Sequence, residues 1–170
     1  MGGLVLAQTI IDGKSSTFIC ETSSATYKQV NDDTDSTKKA SITFTVPASR
    51  KVLVNMSVST RDFDSSTEIF RVRITDSDSE STEGSWGSNF NDEQIAGHWA
   101  TNFTDHVFQW YFDGTVSPHS WTAGDSKTMY FQLKVDGSSE TVSIQAGNNF
   151  KPCVISAVAV ANNVTLVDMG

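Results

Sequence analysis

The sequence predicts an all-β fold, an antiparallel β-sandwich or jelly roll, on three observations. Short segments of the 170-residue chain alternate apolar and polar residues with a period of two, which is typical of half-buried strands. Clusters of Gly, Asp, Ser and Pro separate these segments, as turns do. Apolar residues at helical spacing are scarce. We therefore expect seven or eight strands in one domain.

The segment SITFTVPASRKVLVNMSVS, residues 41 to 59, predicts two strands. Ile42 and Phe44 alternate with threonines, and Val52 to Val58 repeat that alternation after the break at Pro47. Two such runs joined by a short turn predict an antiparallel hairpin.

Later segments predict further strands. EIFRVRITD and DHVFQWYFDG each alternate, the second with aromatic residues on both faces, and SKTMYFQLKVDGSSETVSIQAG predicts a pair of strands around a turn at Asp136-Gly137. CVISAVAV is almost continuously apolar, which predicts a strand covered on both faces, and STFICET adds one more near the start. NDEQIAGHWA, residues 91 to 100, predicts a short turn of helix at most.

Composition bounds the function. The formal charge of −8 argues against nucleic acid, because binding phosphates requires a basic surface. No apolar run is long enough to span a membrane as a helix.

We divide the chain into an N-terminal arm (1–15) with the apolar run Leu4 to Ile11, one domain (16–161) and a C-terminal tail (162–170). The arm lacks the basic residues of a secretory signal, so we interpret it as a mature N-terminus.

The two cysteines, Cys20 and Cys153, leave two alternatives. They could form a bridge between adjacent strands. We favour two buried free thiols, made in a reducing cytoplasm, because small disulfide scaffolds carry more cysteines at closer spacing.

An acidic loop raises the possibility of a calcium site. Asp76, Asp78 and Glu80 lie close together in DSDSESTEG, and calcium binds several carboxylate oxygens. The helix–loop–helix calcium motif requires Gly at its sixth position and Glu at its twelfth, where this chain has Ser81 and Gly87. A solvated acidic loop is therefore the favoured interpretation, and we predict neither a metal site nor a cofactor.

Catalytic motifs are weak. His98, His106 and His119 do not have zinc-motif spacing, and the sequence contains no G-x-S-x-G. We therefore expect no enzymatic activity. A sugar-acting or metal-dependent enzyme is the least favoured alternative, and it would need these histidines to converge with carboxylates.

Aromatic residues crowd the middle of the chain. They could fill the core or contact a partner such as a glycan or a protein. Trp86 and Trp121 lie in Ser/Thr/Gly-rich segments, and we predict that both contact a partner.

Three segments, in this order, resemble a class of phage virion domains. ITFTVPASRKVLVNMSV resembles their F-T-A-P-x-S-G-K-V-L-V stretch, WTAGDSKTMYFQLKV their L-T-A-G strand, and SIQAGNNFKPCVISAVAVA their closing P-x-I-I-A-x-A-V strand. The likeness covers about residues 41 to 161. The chain departs from the pattern at Arg50, where Gly is usual, and between Thr75 and Trp99, where it is longer and more acidic.

The resemblance implies a fold and a role. Those domains are jelly rolls, similar in shape to tumour-necrosis-factor and C1q domains, and they usually form trimers without catalytic residues. They occur in tail fibres, head fibres and capsid decoration proteins. The resemblance implies a homotrimer bound to the major capsid protein on the virion surface, where it decorates and cements the phage head. We expect Leu4, Val5 and Leu6 of the arm to pair with capsid strands by β-augmentation. The alternative is a fibre tip that recognises host surface glycans through Trp86 and Trp121.

Overall fold

A computed structural model describes residues 4–11, 18–62, 67–78, 93–99, 103–137, 141–147 and 151–161. These residues form eleven β-strands and no helix. The strands are β1 (Leu4–Ile11), β2 (Phe18–Thr22), β3 (Lys28–Gln29), β4 (Ser41–Thr45), β5 (Lys51–Asp62), β6 (Thr67–Thr75), β7 (Glu93–Trp99), β8 (Phe103–Asp113), β9 (Ser126–Val135), β10 (Val142–Ala146) and β11 (Cys153–Ala159).

The strands form two antiparallel sheets, as the all-β prediction requires. Sheet A has six strands in the order β1-β11-β5-β10-β2, with β8 along the other side of β5. The long strand β5 pairs with β11 through its first half and with β10 through its second half. Sheet B has five strands in the order β3-β9-β6-β7, with β4 also paired to β9.

The core lies between the sheets and is built from alternate residues of each strand. The inward side of β5 places four fully or almost fully buried side chains there: Val52, Val54, Met56 and Val58. Aromatic rings also meet there. The ring of Phe108 in β8 contacts Phe70 of β6 and Trp110 of β8, and Trp110 contacts Phe131 of β9, with centroids of each contacting pair 5.4 to 6.2 Å apart. The inward faces predicted from alternation in these strands are confirmed.

The predicted hairpin between the fourth and fifth strands is wrong. β4 pairs with β9 in sheet B, whereas β5 pairs with β8, β10 and β11 in sheet A. The turn at Pro47 therefore carries the chain from one sheet to the other. The same correction applies to β9 and β10, which lie in different sheets rather than pairing across the turn at Asp136-Gly137.

Arg50, in the turn between β4 and β5, has an uncommon backbone conformation. Its φ of 55° lies in the left-handed region, which glycine adopts without steric cost. The backbone carbonyl of Arg50 accepts a hydrogen bond of 2.7 Å from the amide of Gly114. Arg50, which stands where the resembling pattern has Gly, thus adopts a conformation that glycine favours.

Two further expectations are corrected. Residues 93–99 form strand β7, not a turn of helix. β11 is covered on its inner face only, because Val154, Ser156 and Val158 on its outer face are half-exposed. Among the described residues, no helix is long and apolar enough to cross a membrane.

Candidate subunit interface

The outer face of sheet A carries side chains in three rows that cross four strands. In β5 the inward residues are buried, so the odd-numbered residues Leu53, Asn55 and Ser57 point outward. The pairing register aligns each of them with residues of β1, β11 and β8. Neighbouring rows are two residues apart along a strand, which is about 7 Å.

The first row is apolar, and we call it the upper apolar row. Val5 lies opposite Val158, Val158 opposite Leu53, and Leu53 opposite Tyr111. Val5 is 59% exposed, and the other three are half-exposed. Burial, reinforced by the charge of Asp113, raises the pKa of Tyr111, so its ring remains uncharged at neutral pH.

The second row, the polar row, contains four amide or hydroxyl side chains. Gln8 lies opposite Ser156, Ser156 opposite Asn55, and Asn55 opposite Gln109. The Gln109 Nε2 donates to Asn55 Oδ1 at 2.8 Å, and Asn55 Nδ2 donates to Ser156 Oγ at 3.4 Å. These bonds connect three strands across the surface.

The third row, the lower apolar row, contains Ile10, Val154, Ser57 and Val107 in register. Ile10 is 55% exposed and Val107 is 64% exposed. A face with this much exposed aliphatic surface indicates an interaction site, since isolated proteins seldom leave such surface in contiguous patches.

None of the twelve side chains in the three rows is charged. The whole chain carries a formal charge of −8. Copies of an acidic protein repel each other, and this repulsion is weakest where a surface has no charged groups. The face is therefore suited to contact with a second copy.

The predicted partner-binding residues of the arm lie at the edge of this face. Leu4, Val5 and Leu6 belong to β1, which pairs with β11 of its own chain. Leu4 is 70% exposed, whereas Leu6 packs against the core. The register slips between Val5 and Ala7, where a bulge accommodates Leu6. Leu4 and Val5 remain accessible to a partner.

The prediction for Trp121 is corrected, because its side chain is 3% exposed and belongs to the core. Its ring packs against Phe44, Phe112 and His119, with centroids 6.0, 5.6 and 5.3 Å away. Its amide donates to the Gly114 carbonyl at 2.7 Å. A Ser/Thr/Gly-rich neighbourhood had indicated a surface loop, but the segment folds inward. Trp86, the other predicted contact, lies outside the described residues.

The two histidine side chains that the structure describes, His106 and His119, pack against different aromatic rings. His106 packs edge-on against Phe70 at 5.2 Å, while His119 packs against Phe112 at 5.3 Å. Burial lowers the pKa of His119, against the opposing effect of the charges of Asp76 and Asp113. His98 lies in β7, and its side chain is outside the described part. In the described ranges, no group of three or more His, Cys, Asp or Glu residues could hold a metal ion.

Asp78, in the described part of the acidic loop, forms an ion pair with Lys39. Asp78 accepts hydrogen bonds from the Lys39 ammonium and from Gln29 Nε2, the latter at 3.2 Å. The Lys39 hydrogen bond lowers the pKa of Asp78. Burial opposes this effect, and the Gln29 hydrogen bond adds a smaller lowering. Glu80 lies outside the described residues.

Both cysteines are buried free thiols, as expected. Burial alone raises the pKa of Cys153 to about 12. Its thiol therefore stays protonated and unreactive in the folded protein.

The outer face of sheet B is different in character. Arg71 pairs with Glu93 and with Asp136, whose Oδ2 lies 2.8 Å from the arginine Nη2. Tyr27 donates to Glu93, and Lys134 lies over the Tyr27 ring at 4.6 Å. These groups satisfy one another across β6, β7 and β9, and the exposed side chains of Ile69 and Ile95 lie on the same face.

The sequence predicts aromatic residues on both faces of DHVFQWYFDG, but it does not predict the three rows. Each row depends on the register of four strands that are far apart in the chain. Comparison with known proteins adds no family: no protein-family model matches the chain, and no curated protein matches it.

Proposed function

We propose that this chain is a virion structural protein, a trimeric antiparallel jelly roll that decorates and cements the mature head of a tailed phage. The order of strands supports the jelly roll. β1-β11-β5-β8 face β4-β9-β6-β7, and the chain crosses between the sheets repeatedly, as in the two Greek keys of a jelly roll. The resemblance of residues 41 to 161 to phage virion domains supports the location.

The observation that carries the proposal is the outer face of sheet A. Its three rows carry apolar, amide and hydroxyl side chains without a charge, and they lie between the ion pairs Lys51–Asp113 and Lys151–Asp105. Three copies that present this face to a common axis bury the aliphatic side chains of the upper and lower apolar rows. Cyclic symmetry accommodates this arrangement without leaving an open end.

The role follows from mass action. A protein that binds only the expanded shell stabilises that state by its binding free energy, without any chemical step. The partner is the major capsid protein, and the protein is made in the host cytoplasm before it joins the virion surface. The exposed side chain of Leu4 in β1, with the outer edge of that strand, is the part available to strands of the shell.

Co-sedimentation with expanded phage heads that lack the protein tests this function, with host cells as a parallel pellet. We expect saturable binding to heads and none to cells. Leu4→Glu should weaken binding to heads, whereas Val116→Glu, a control at an exposed valine outside sheet A, should not. Binding to cells alone would contradict the cement role and favour the receptor-binding alternative. Because Trp121 is buried, that alternative would have to use Trp86.

A further inference from the structure

The polar row lies between two apolar rows on the same exposed face. Gln8, Ser156, Asn55 and Gln109 occupy one level across β1, β11, β5 and β8. The aliphatic rows lie about 7 Å above and below that level. A surface selected only for apolar burial would not place amides in its middle, because buried amides without partners cost free energy.

Threefold symmetry determines which residues these amides would contact in a trimer. When the strands run along the threefold axis, rotation keeps every residue at its own height. Each row then meets the same row of the neighbouring copies. The polar rows of three copies form one layer, and the apolar rows form layers on either side.

We propose that the polar row selects the axial register of the closed trimer against displaced contacts, which would build open assemblies, an inference that rests on the trimer proposed above. The occupant of this face is a second copy of the chain. In the correct register, amides meet amides. A slip by one row places Asn55 and Gln109 against valine and isoleucine side chains, and their hydrogen-bonding groups lose their partners.

The hydrogen bonds within one copy do not use all the donors and acceptors of the Asn55 and Gln109 side chains. Gln109 uses one amide hydrogen on Asn55, and Asn55 uses one on Ser156. An amide side chain has two donor hydrogens and an acceptor oxygen, so each retains groups for a neighbour. In other assemblies, single polar residues at apolar interfaces select register and oligomeric state at some cost in stability.

The test is the distribution of oligomers of Asn55→Val/Gln109→Val, measured by native mass spectrometry and sedimentation velocity. We expect the wild type to give a single trimeric species and the double variant to give a mixture of oligomers. The matched control is Thr43→Val/Thr128→Val. It removes a cross-strand polar pair, with 2.8 Å between hydroxyls, from the outer face of sheet B, and it should remain a single trimer.

A second variant tests the shared layer without adding apolar surface. Asn55→Asp places one carboxylate per copy in that layer, where like charges raise one another's pKa. We expect its trimer to dissociate at a concentration at least tenfold higher at pH 8 than at pH 5, relative to the wild type at the same two pH values. Circular dichroism checks that every variant is folded.

The outcomes separate the two proposals. A wild-type trimer together with a uniform trimer for the double variant, or a pH-independent Asn55→Asp trimer, would overturn the register inference alone. A wild type that stays monomeric at all concentrations would overturn the trimer itself.

Discussion

The side-chain amide of Gln94 forms hydrogen bonds with both the backbone carbonyl and the backbone amide of Gln109. Gln94 Nε2 donates to the Gln109 carbonyl, and the Gln109 amide donates to Gln94 Oε1 at 3.3 Å. Gln94 belongs to β7 in sheet B, whereas Gln109 belongs to β8 at the side of sheet A. One side chain thus reproduces a rung of a β-ladder between two sheets and covers part of an edge strand.

Removing this clamp should destabilise the protein. We expect Gln94→Ala to lower the free energy of unfolding by about 1–2 kcal/mol, because two backbone groups lose their partners. Urea unfolding measures the change. Ser126→Ala, a control at an exposed position, should change stability by less than about 0.5 kcal/mol. A Gln94→Ala value as small as that of the control would show that solvent replaces the clamp without cost.

Trp121 should behave as a core residue. Its indole fills space between Phe44 and Phe112, so we expect Trp121→Ala to cost about 3–5 kcal/mol in urea unfolding. Val116→Ala, an exposed position in the preceding turn, is the matched control and should change stability little. Full stability of Trp121→Ala with loss of binding to a partner would instead restore the surface interpretation.

Neither cysteine thiol should react with a thiol reagent in the native protein. The buried thiols of Cys20 and Cys153 are out of solvent, and the pKa of about 12 for Cys153 leaves almost no thiolate at pH 8. We expect a thiol reagent such as dithionitrobenzoate to report no reactive groups in native protein and two after unfolding in guanidinium. Rapid reaction of the native protein would contradict this burial.

Acid should weaken sheet B through Asp136 and Glu93. The Arg71 hydrogen bond lowers the pKa of Asp136. Burial alone would raise the pKa of Glu93, but the Tyr27 and Arg71 hydrogen bonds lower it. Carboxyls with lowered pKa values stabilise the fold above their unfolded values, near pH 4, and this contribution is lost as the pH falls through the folded values.

Urea unfolding at pH 6 and pH 3.5 tests this dependence. We expect wild-type stability to fall at the lower pH, and we expect Asp136→Asn to be less stable at pH 6 but to lose less between the two values. Ser126→Ala should follow the wild type. Equal losses for Asp136→Asn and the wild type would show that the Arg71 pair contributes nothing.

The sequence predicted which residues face the core better than which strands pair. Alternation is local, so the inward positions of β5 could be identified from Val52 to Val58 alone. Pairing depends on whether a turn folds back within a sheet or crosses to the other one. The turn between β4 and β5 crosses to the other sheet and contains Arg50 in a left-handed conformation, which the identity of an arginine does not indicate.

The candidate site was predictable only in part. The arm residues Leu4 and Val5 are exposed, while Trp121 is buried, because local composition does not report how a loop packs. Predicting the three rows requires knowing how β1, β11, β5 and β8 are aligned with one another. Alternation within one strand gives no information on that alignment. The uncharged character of the rows emerges only when the four strands are aligned.

The oligomeric state of Val107→Glu tests the central claim most directly, that copies meet through the outer face of sheet A. Val107 is exposed in the lower apolar row, and a glutamate there adds one like charge per copy to an apolar layer. By sedimentation velocity at pH 7.5, we expect a trimer for the wild type and for Val116→Glu, and a folded monomer for Val107→Glu. A Val107→Glu trimer as tight as the wild type, or a monomeric wild type, would contradict it.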